Sequence, residues 1–169
     1  MHKTVFLDRD GLINRCAAPH CYICKWEDFK FLPGVAEAIG MLNEAGFLVL
    51  VITNQRGVAR GMLTQDELDT LHRNMRSVLE ASGARIDHIY ACPHEAGTCT
   101  CRKPDIGLFR MAEADYDIDK SRSWMIGDSE TDIQAGKKYG VHTILTTHLL
   151  SAAVRILETE RSVELEMVQ

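Results

Sequence analysis

A chain of 169 residues suits one domain around one core, and 46% hydrophobic with 25% charged residues is ordinary for a globular protein. No apolar run approaches the roughly 18 residues of a membrane span, and the N-terminus MHKTVFLDRDG lacks the apolar stretch and cleavage site of a secretory signal. With a net charge of −5, a cytoplasmic protein without nucleic-acid or membrane partners is expected; small phosphorylated ligands stay open, because a few local cations can dominate a pocket.

In chain order, short apolar strands alternate with amphipathic helices. Thr4-Val5-Phe6-Leu7 is a strand running into Asp8. Pro33-Gly34 opens a helix with Val35, Ala38, Ile39 and Leu42 on one side, closed near Gly46. Phe47–Ile52 is apolar throughout, as a parallel strand buried on both faces should be. Thr64 with Glu67 forms a capping box, and the helix it starts carries Leu68, Leu71, Met75, Val78 and Leu79 as its stripe. A strand near Ile86–Ala91, a cysteine-rich loop and a helix after Pro104 follow. Ser123-Trp124-Met125-Ile126 is a strand ending at Gly127-Asp128. A helix over about 130–139 stops at Gly140, and Val141–Leu145 is the last strand. The pattern predicts an α/β fold, a three-layer doubly wound parallel sheet over 1–150, with 151–169 as a C-terminal helix and tail. No repeat, linker or large cap domain is visible.

In such sheets ligands bind beyond the carboxyl ends of the strands. Those ends carry Asp8 and Asp10, Thr53 and Asn54, and Gly127-Asp128. Neighbouring carboxylates need a proton or a cation, and a hard oxygen-binding ion such as Mg2+ fits. One carboxylate can attack phosphorus and a second can exchange protons with the leaving group and water. A lone Asp-x-Asp-Gly is usually a turn; it gains weight here from Thr53, Arg102-Lys103-Pro104 and Gly127-Asp128 with Asp132, all in one order.

Taken together, DRDGLIN at 8–14, ITNQ at 52–55, Lys103 and GDSETD at 127–132 resemble the four motifs of the haloacid-dehalogenase-like (HAD-like) phosphatases. The resemblance implies Asp8 as nucleophile and Asp10 as acid/base. It implies Thr53 and Lys103 on the transferring phosphoryl group. Mg2+ would lie on Asp8, Asp128 and the backbone carbonyl of Asp10, with Asp132 behind them orienting a metal-bound water or Lys103.

Cys92, His94, Cys99 and Cys101 fall within ten residues and make a closed tetrahedral set for structural Zn2+. The loop 92–101 leads straight into Arg102-Lys103, so zinc should set where those cations point. Cys16, Cys21 and Cys24 with His20 suggest a second metal site, but a CxxC pair alone is a weak signal and ordinary or regulatory thiols are the stronger reading.

The loop CPH…CxCRKP is similar to that of heptose-bisphosphate and histidinol-phosphate phosphatases, and TNQRGVARG at 53–61 is nearer the heptose branch. That match implies a sugar bisphosphate as substrate, removal of its 7-phosphate, and contacts from Asn54, Gln55, Arg56 and Arg102; a histidinol-phosphate phosphatase is the alternative. Ser129 stands where some members have Lys, and the zinc loop is short. A monomer is expected. A non-catalytic zinc-stabilised binding protein on the same fold is the rival of another class; the retention of Asp8, Asp10, Thr53, Lys103 and Asp128 argues against it.

Overall fold

The computed structural model describes residues 1–18 and 21–166, apart from a few side chains near the C-terminus. Five parallel strands form one sheet in the order β3-β2-β1-β4-β5: β1 (Thr4–Leu7), β2 (Leu48–Asn54), β3 (His88–Cys92), β4 (Trp124–Gly127) and β5 (His142–Leu145). The helices are α1 (Val35–Glu44), α2 (Gln65–Ala81), α3 (Gly107–Asp115), α4 (Glu130–Tyr139) and α5 (Leu149–Glu166).

Successive side chains of a strand face opposite ways, and the two cores follow that alternation. Val5 and Leu7 of β1, with Val49 and Val51 of β2, pack against α1, α2 and α5. Phe6, Leu50, Ile52 and Met125 pack against Leu108 and Phe109 of α3 and Tyr139 of α4. The sheet is therefore covered on both faces, as parallel strands require. Each fully buried side chain of this size contributes about 1.5–3 kcal/mol relative to exposure.

Local signals set most boundaries. Thr64 and Glu67 form the capping box at the start of α2, and α4 ends on Gly140 at φ 98°, where glycine alone is unstrained. The sheet differs from the expected strand near its first residues: Phe47 lies before β2, while Thr53 and Asn54 extend it. β3 likewise starts at His88 instead of Ile86. Val78, expected in the α2 stripe, is 43% exposed, whereas His72 is buried. At about 100° per residue Val78 lies about 80° from the Leu68 direction, at the margin of the stripe, and His72 lies within it.

The C-terminal segment is a single helix whose Leu149, Ala152, Ala153 and Ile156 enter the core beside α1; residues 167–169 of the expected tail lie outside the described residues. No described helix is long and apolar enough to cross a membrane. Between β1 and α1 the described chain holds only a short 3-10 helix, Trp26–Asp28, and loops, so nothing the size of a cap domain covers the strand ends there.

Candidate active site

Strand order reverses at β1, with β2 and β3 to one side and β4 and β5 to the other. The crevice at this switch point lies where Asp8 leaves β1, Thr53 and Asn54 end β2 and Asp128 follows β4. Asp8, Asp128 and Asp132 bring carboxylate oxygens within 4.8 Å of one another. Lys103 is 3% exposed. Its Nζ donates to Asp8 Oδ1 at 2.7 Å and to the Ile52 carbonyl at 2.8 Å, and pairs with Asp132 Oδ1 at 2.7 Å. An ammonium has three donors, and all three are used. The other oxygen of Asp132 accepts from the Ser129 N–H and hydroxyl at 3.2 and 2.7 Å. Asp132 therefore completes the capping box that Ser129 opens on α4 and pairs with Lys103 at once.

Asp10 is held differently. Its carboxylate accepts from Arg9, from Asn14 Nδ2 at 2.8 Å and from Gln55 Nε2 at 2.9 Å. Burial pushes its pKa up, but the Arg9 charge and these hydrogen bonds outweigh burial and hold it below the ordinary carboxylate value. Asp8 goes the other way. Burial, aided by Asp132 and Asp10 and opposed by Lys103, raises it to about 7. Asp128 is raised as well, by burial and by Asp132.

Burial is the largest cause of the upward shifts of Asp8 and Asp128, and mutual repulsion adds to it. Asp8, Asp10, Asp128 and Asp132 face the two cations Arg9 and Lys103, an imbalance equal to the charge of one divalent ion. The oxygen-only donor set of Asp8 and Asp128 suits Mg2+. Gly11 leaves the space open: it has φ 88°, and a Cβ there would overlap the Asp128 carboxylate.

At the loop 92–101 the four ligand atoms close on themselves. Cys101 Sγ lies 3.0 Å from Cys92 Sγ, 3.4 Å from Cys99 Sγ and 3.2 Å from His94 Nδ1; Cys92 Sγ lies 3.5 Å from Cys99 Sγ and 3.7 Å from His94 Nδ1. A tetrahedron with zinc–sulfur bonds of about 2.3 Å has edges of about 3.8 Å, so the cage fits zinc with slight expansion.

The residues expected at the substrate divide. Asn54 and Gln55 line a cavity of about 230 Å³ with Asp10, Cys16, Cys21 and Tyr22. Their side chains also bond within the protein. Asn54 bonds the backbone carbonyl and N–H of Lys103 at 3.1 and 3.0 Å, and Gln55 Nε2 bonds Asp10 and, at 2.8 Å, Thr53 Oγ1. Arg56 is not a free cation, because Glu95 of the loop 92–101 accepts from it at 3.0 Å and Tyr22 Oη at 3.3 Å. Arg60 shares Glu95. Arg102 differs: its buried Nη1 has no hydrogen-bond partner among the described residues.

Sequence reasoning passed over Arg9, His72 and Glu95. Arg9 and Glu95 gave no signal, since charged side chains are normally solvated; His72 had one, its place on the α2 stripe. Among the described residues Cys16, Cys21 and Cys24 form no metal-holding group with one another, and His20 lies outside them. Cys16 instead places its thiol 3.7 Å from Asp128 Oδ2.

Known proteins resemble this chain in sequence and fold. A HAD-hydrolase-like family model matches residues 100–153. The chain is 44% identical over 144 residues to a D-glycero-beta-D-manno-heptose-1,7-bisphosphate 7-phosphatase of Rhodopseudomonas palustris, covering 80% of this chain and 78% of that protein. It is 36% identical to a D-glycero-alpha-D-manno-heptose-1,7-bisphosphate 7-phosphatase of Burkholderia mallei, covering 96% and 92%. The crystal structure of D,D-heptose 1,7-bisphosphate phosphatase from B. bronchiseptica, complexed with magnesium and phosphate, superposes with a TM-score of 0.80 at 29% identity, covering 93% of this chain and 99% of that one. With relatives this similar along most of its length, the chain belongs to the HAD-like phosphatases, in the family of the heptose-1,7-bisphosphate 7-phosphatases.

Proposed function

We propose that this phosphatase is Mg2+-dependent and cytoplasmic, acts as a monomer, and removes the 7-phosphate of D-glycero-D-manno-heptose 1,7-bisphosphate. The observation that carries the chemistry is the convergence of Asp8, Thr53, Lys103 and Asp128 at one switch point, with Asp10 held beside them by its own set of donors. All of them come from residues 1–150 of a single chain, and 151–166 completes the core beneath.

In this reading Asp8 attacks phosphorus. The bond from phosphorus to the sugar oxygen breaks; Asp10, ionised without substrate but protonated once the negative phosphoryl group lies beside it, gives that oxygen its proton. Water then attacks the aspartyl-phosphate, Asp10 takes its proton, and Asp8 is released with inorganic phosphate. Lys103 offsets charge on the transferring group, and Thr53 holds it: the bond from Gln55 uses a lone pair of the Thr53 hydroxyl and leaves its proton for a phosphoryl oxygen. Asp8, Asp128 and the Asp10 carbonyl would hold Mg2+, which supplies charge neutralisation and orients the phosphate. Zinc on Cys92, His94, Cys99 and Cys101 is structural, since those four ligands complete its shell.

Arg102 is assigned to the distal phosphate, because its buried Nη1 awaits an acceptor. Asn54 and Gln55 act on the substrate through Lys103 and Asp10, and Arg56 through Tyr22 at the rim. The test is phosphate release from both anomers of heptose 1,7-bisphosphate, the matching monophosphates, histidinol phosphate and 3′-phosphorylated oligonucleotides. The bisphosphate should exceed its monophosphate in kcat/KM by about ten- to a hundredfold, the equivalent of one charge-assisted contact. Arg102→Ala should erase that margin. Faster hydrolysis of histidinol phosphate would overturn the heptose assignment and leave the phosphatase chemistry standing.

The raised Asp8 pKa gives a second expectation. The ionised form is the nucleophile, and a divalent cation favours it. Raising Mg2+ should therefore move the acid limb of the kcat/KM profile to lower pH, starting from near the value of about 7 that Asp8 has without metal. An acid limb that stays fixed across a wide Mg2+ range would separate it from Asp8.

A further inference from the structure

Arg9 heads the largest fully buried side chains of the molecule, and the mechanism above does not use it. A buried guanidinium is costly unless its donors meet acceptors. Here the fork grips the neighbouring residue. Nε reaches Asp10 Oδ1 at 3.2 Å, and Nη2 reaches Oδ1 and Oδ2 at 3.0 Å each. The remaining arm, Nη1, meets His72 Nε2 of α2 at 3.0 Å, and the Phe29 ring lies 5.9 Å from the guanidinium carbon. The backbone makes this inward turn possible: the Arg9 carbonyl accepts from the N–H groups of Leu12, Ile13 and Asn14, so the chain folds back tightly after β1.

We propose that Arg9 and His72 are positioning residues for Asp10. His72 accepts from Nη1 and fixes the plane of the guanidinium; the guanidinium in turn fixes the carboxylate that exchanges a proton with the leaving oxygen. The proposal rests on the assignment of Asp10 as acid/base. A carboxylate on a tight loop can pivot about its own side-chain torsions. The fork removes that freedom only if its long stem is itself anchored at the far end, and His72 is the anchor. The imidazole can serve as acceptor because it is neutral: burial and the Arg9 charge hold its pKa at about 3. α2, whose His72 is 63 residues from Arg9 in sequence, thereby contributes to the geometry of the proton transfer.

A merely structural role would lower stability and affect all substrates alike. A positioning role must depend on the leaving group. An aryl phosphate with a good leaving group needs little protonation, whereas an alkyl phosphate needs it fully. The quantity to compare is kcat/KM, which covers only the steps through departure of the leaving group. It would be measured on the full-length, metal-loaded enzyme with p-nitrophenyl phosphate and a simple alkyl phosphate. His72→Leu, which keeps bulk without an acceptor, should lose about 10- to 100-fold on the alkyl phosphate, the scale of a small misplacement of a reacting group. It should lose under about threefold on the aryl phosphate. His72→Gln, which restores an acceptor, should recover most of the loss. If His72→Leu does not fold, Arg9→Lys, which keeps the charge and loses the fork, carries the same test. Asp10→Asn is measured alongside. When it shows the leaving-group dependence, equal losses on both substrates or no loss in the positioning variant overturn this proposal alone. Absence of the dependence in Asp10→Asn overturns the acid/base assignment and this proposal with it.

Discussion

Asp8→Asn is expected to abolish turnover, to below about a thousandth of the parent rate, since loss of a covalent nucleophile typically costs more than about 10³-fold. The chain should remain folded. Asn is nearly isosteric, and Lys103 keeps Asp132 and the Ile52 carbonyl as partners. The substitution also removes one carboxylate from a group in which burial and mutual repulsion already raise Asp8 and Asp128. Thermal unfolding without Mg2+ should therefore show no loss of Tm. Phosphate release and calorimetry on the same preparation test both halves. A tenth of the parent rate retained would remove Asp8 from the nucleophile's role, and a collapse of Tm would show that the carboxylate is needed for the fold.

Loss of zinc is the second large effect. Cys101 Sγ is the most central of the four ligand atoms, within 3.4 Å of each of the other three. Cys101→Ser should reduce zinc from one atom per chain to none by elemental analysis. Binding at such sites is worth about 10–16 kcal/mol in small peptides, comparable with the whole stability of an ordinary domain, about 5–15 kcal/mol. Much of it should appear here as disorder of the loop 92–101 and a fall in Tm. Activity should fall as well. Lys103 is two residues beyond Cys101, and through Glu95 the loop also holds Arg56 and Arg60. Protein purified without chelator and found free of zinc would defeat the assignment. Zinc-free variant protein with full kcat would defeat the link from the loop to Lys103.

The two proposed metal sites were legible to different degrees for a physical reason. Thiolates and an imidazole spaced within ten residues can only meet locally, so Cys92, His94, Cys99 and Cys101 declare their site along the chain. Asp8 and Asp128 are far apart, and only the rule that parallel strands deliver their carboxyl ends to one edge brought them together. Cys16 shows the limit of spacing. It suggested a cluster with Cys21 and Cys24, yet the turn after β1 sends its thiol to Asp128.

Sequence by itself determined the alternation of strands and helices, the capping box of α2, the stop of α4 at Gly140 and the polar residues at each strand end. These depend on side-chain period, cap chemistry and backbone torsion, all of which are local. Only the tertiary structure decided how the polar side chains divide their hydrogen bonds. Asn54 and Gln55, expected at the substrate, also hold Lys103 and Asp10; Arg56, expected there too, is paired with Glu95; Arg9, which carried no sequence signal, lies wholly inside, between Asp10 and His72. A side-chain donor offers the same chemistry to a substrate, a backbone carbonyl or a distant carboxylate, and which of them it meets is set by packing between elements far apart in the chain.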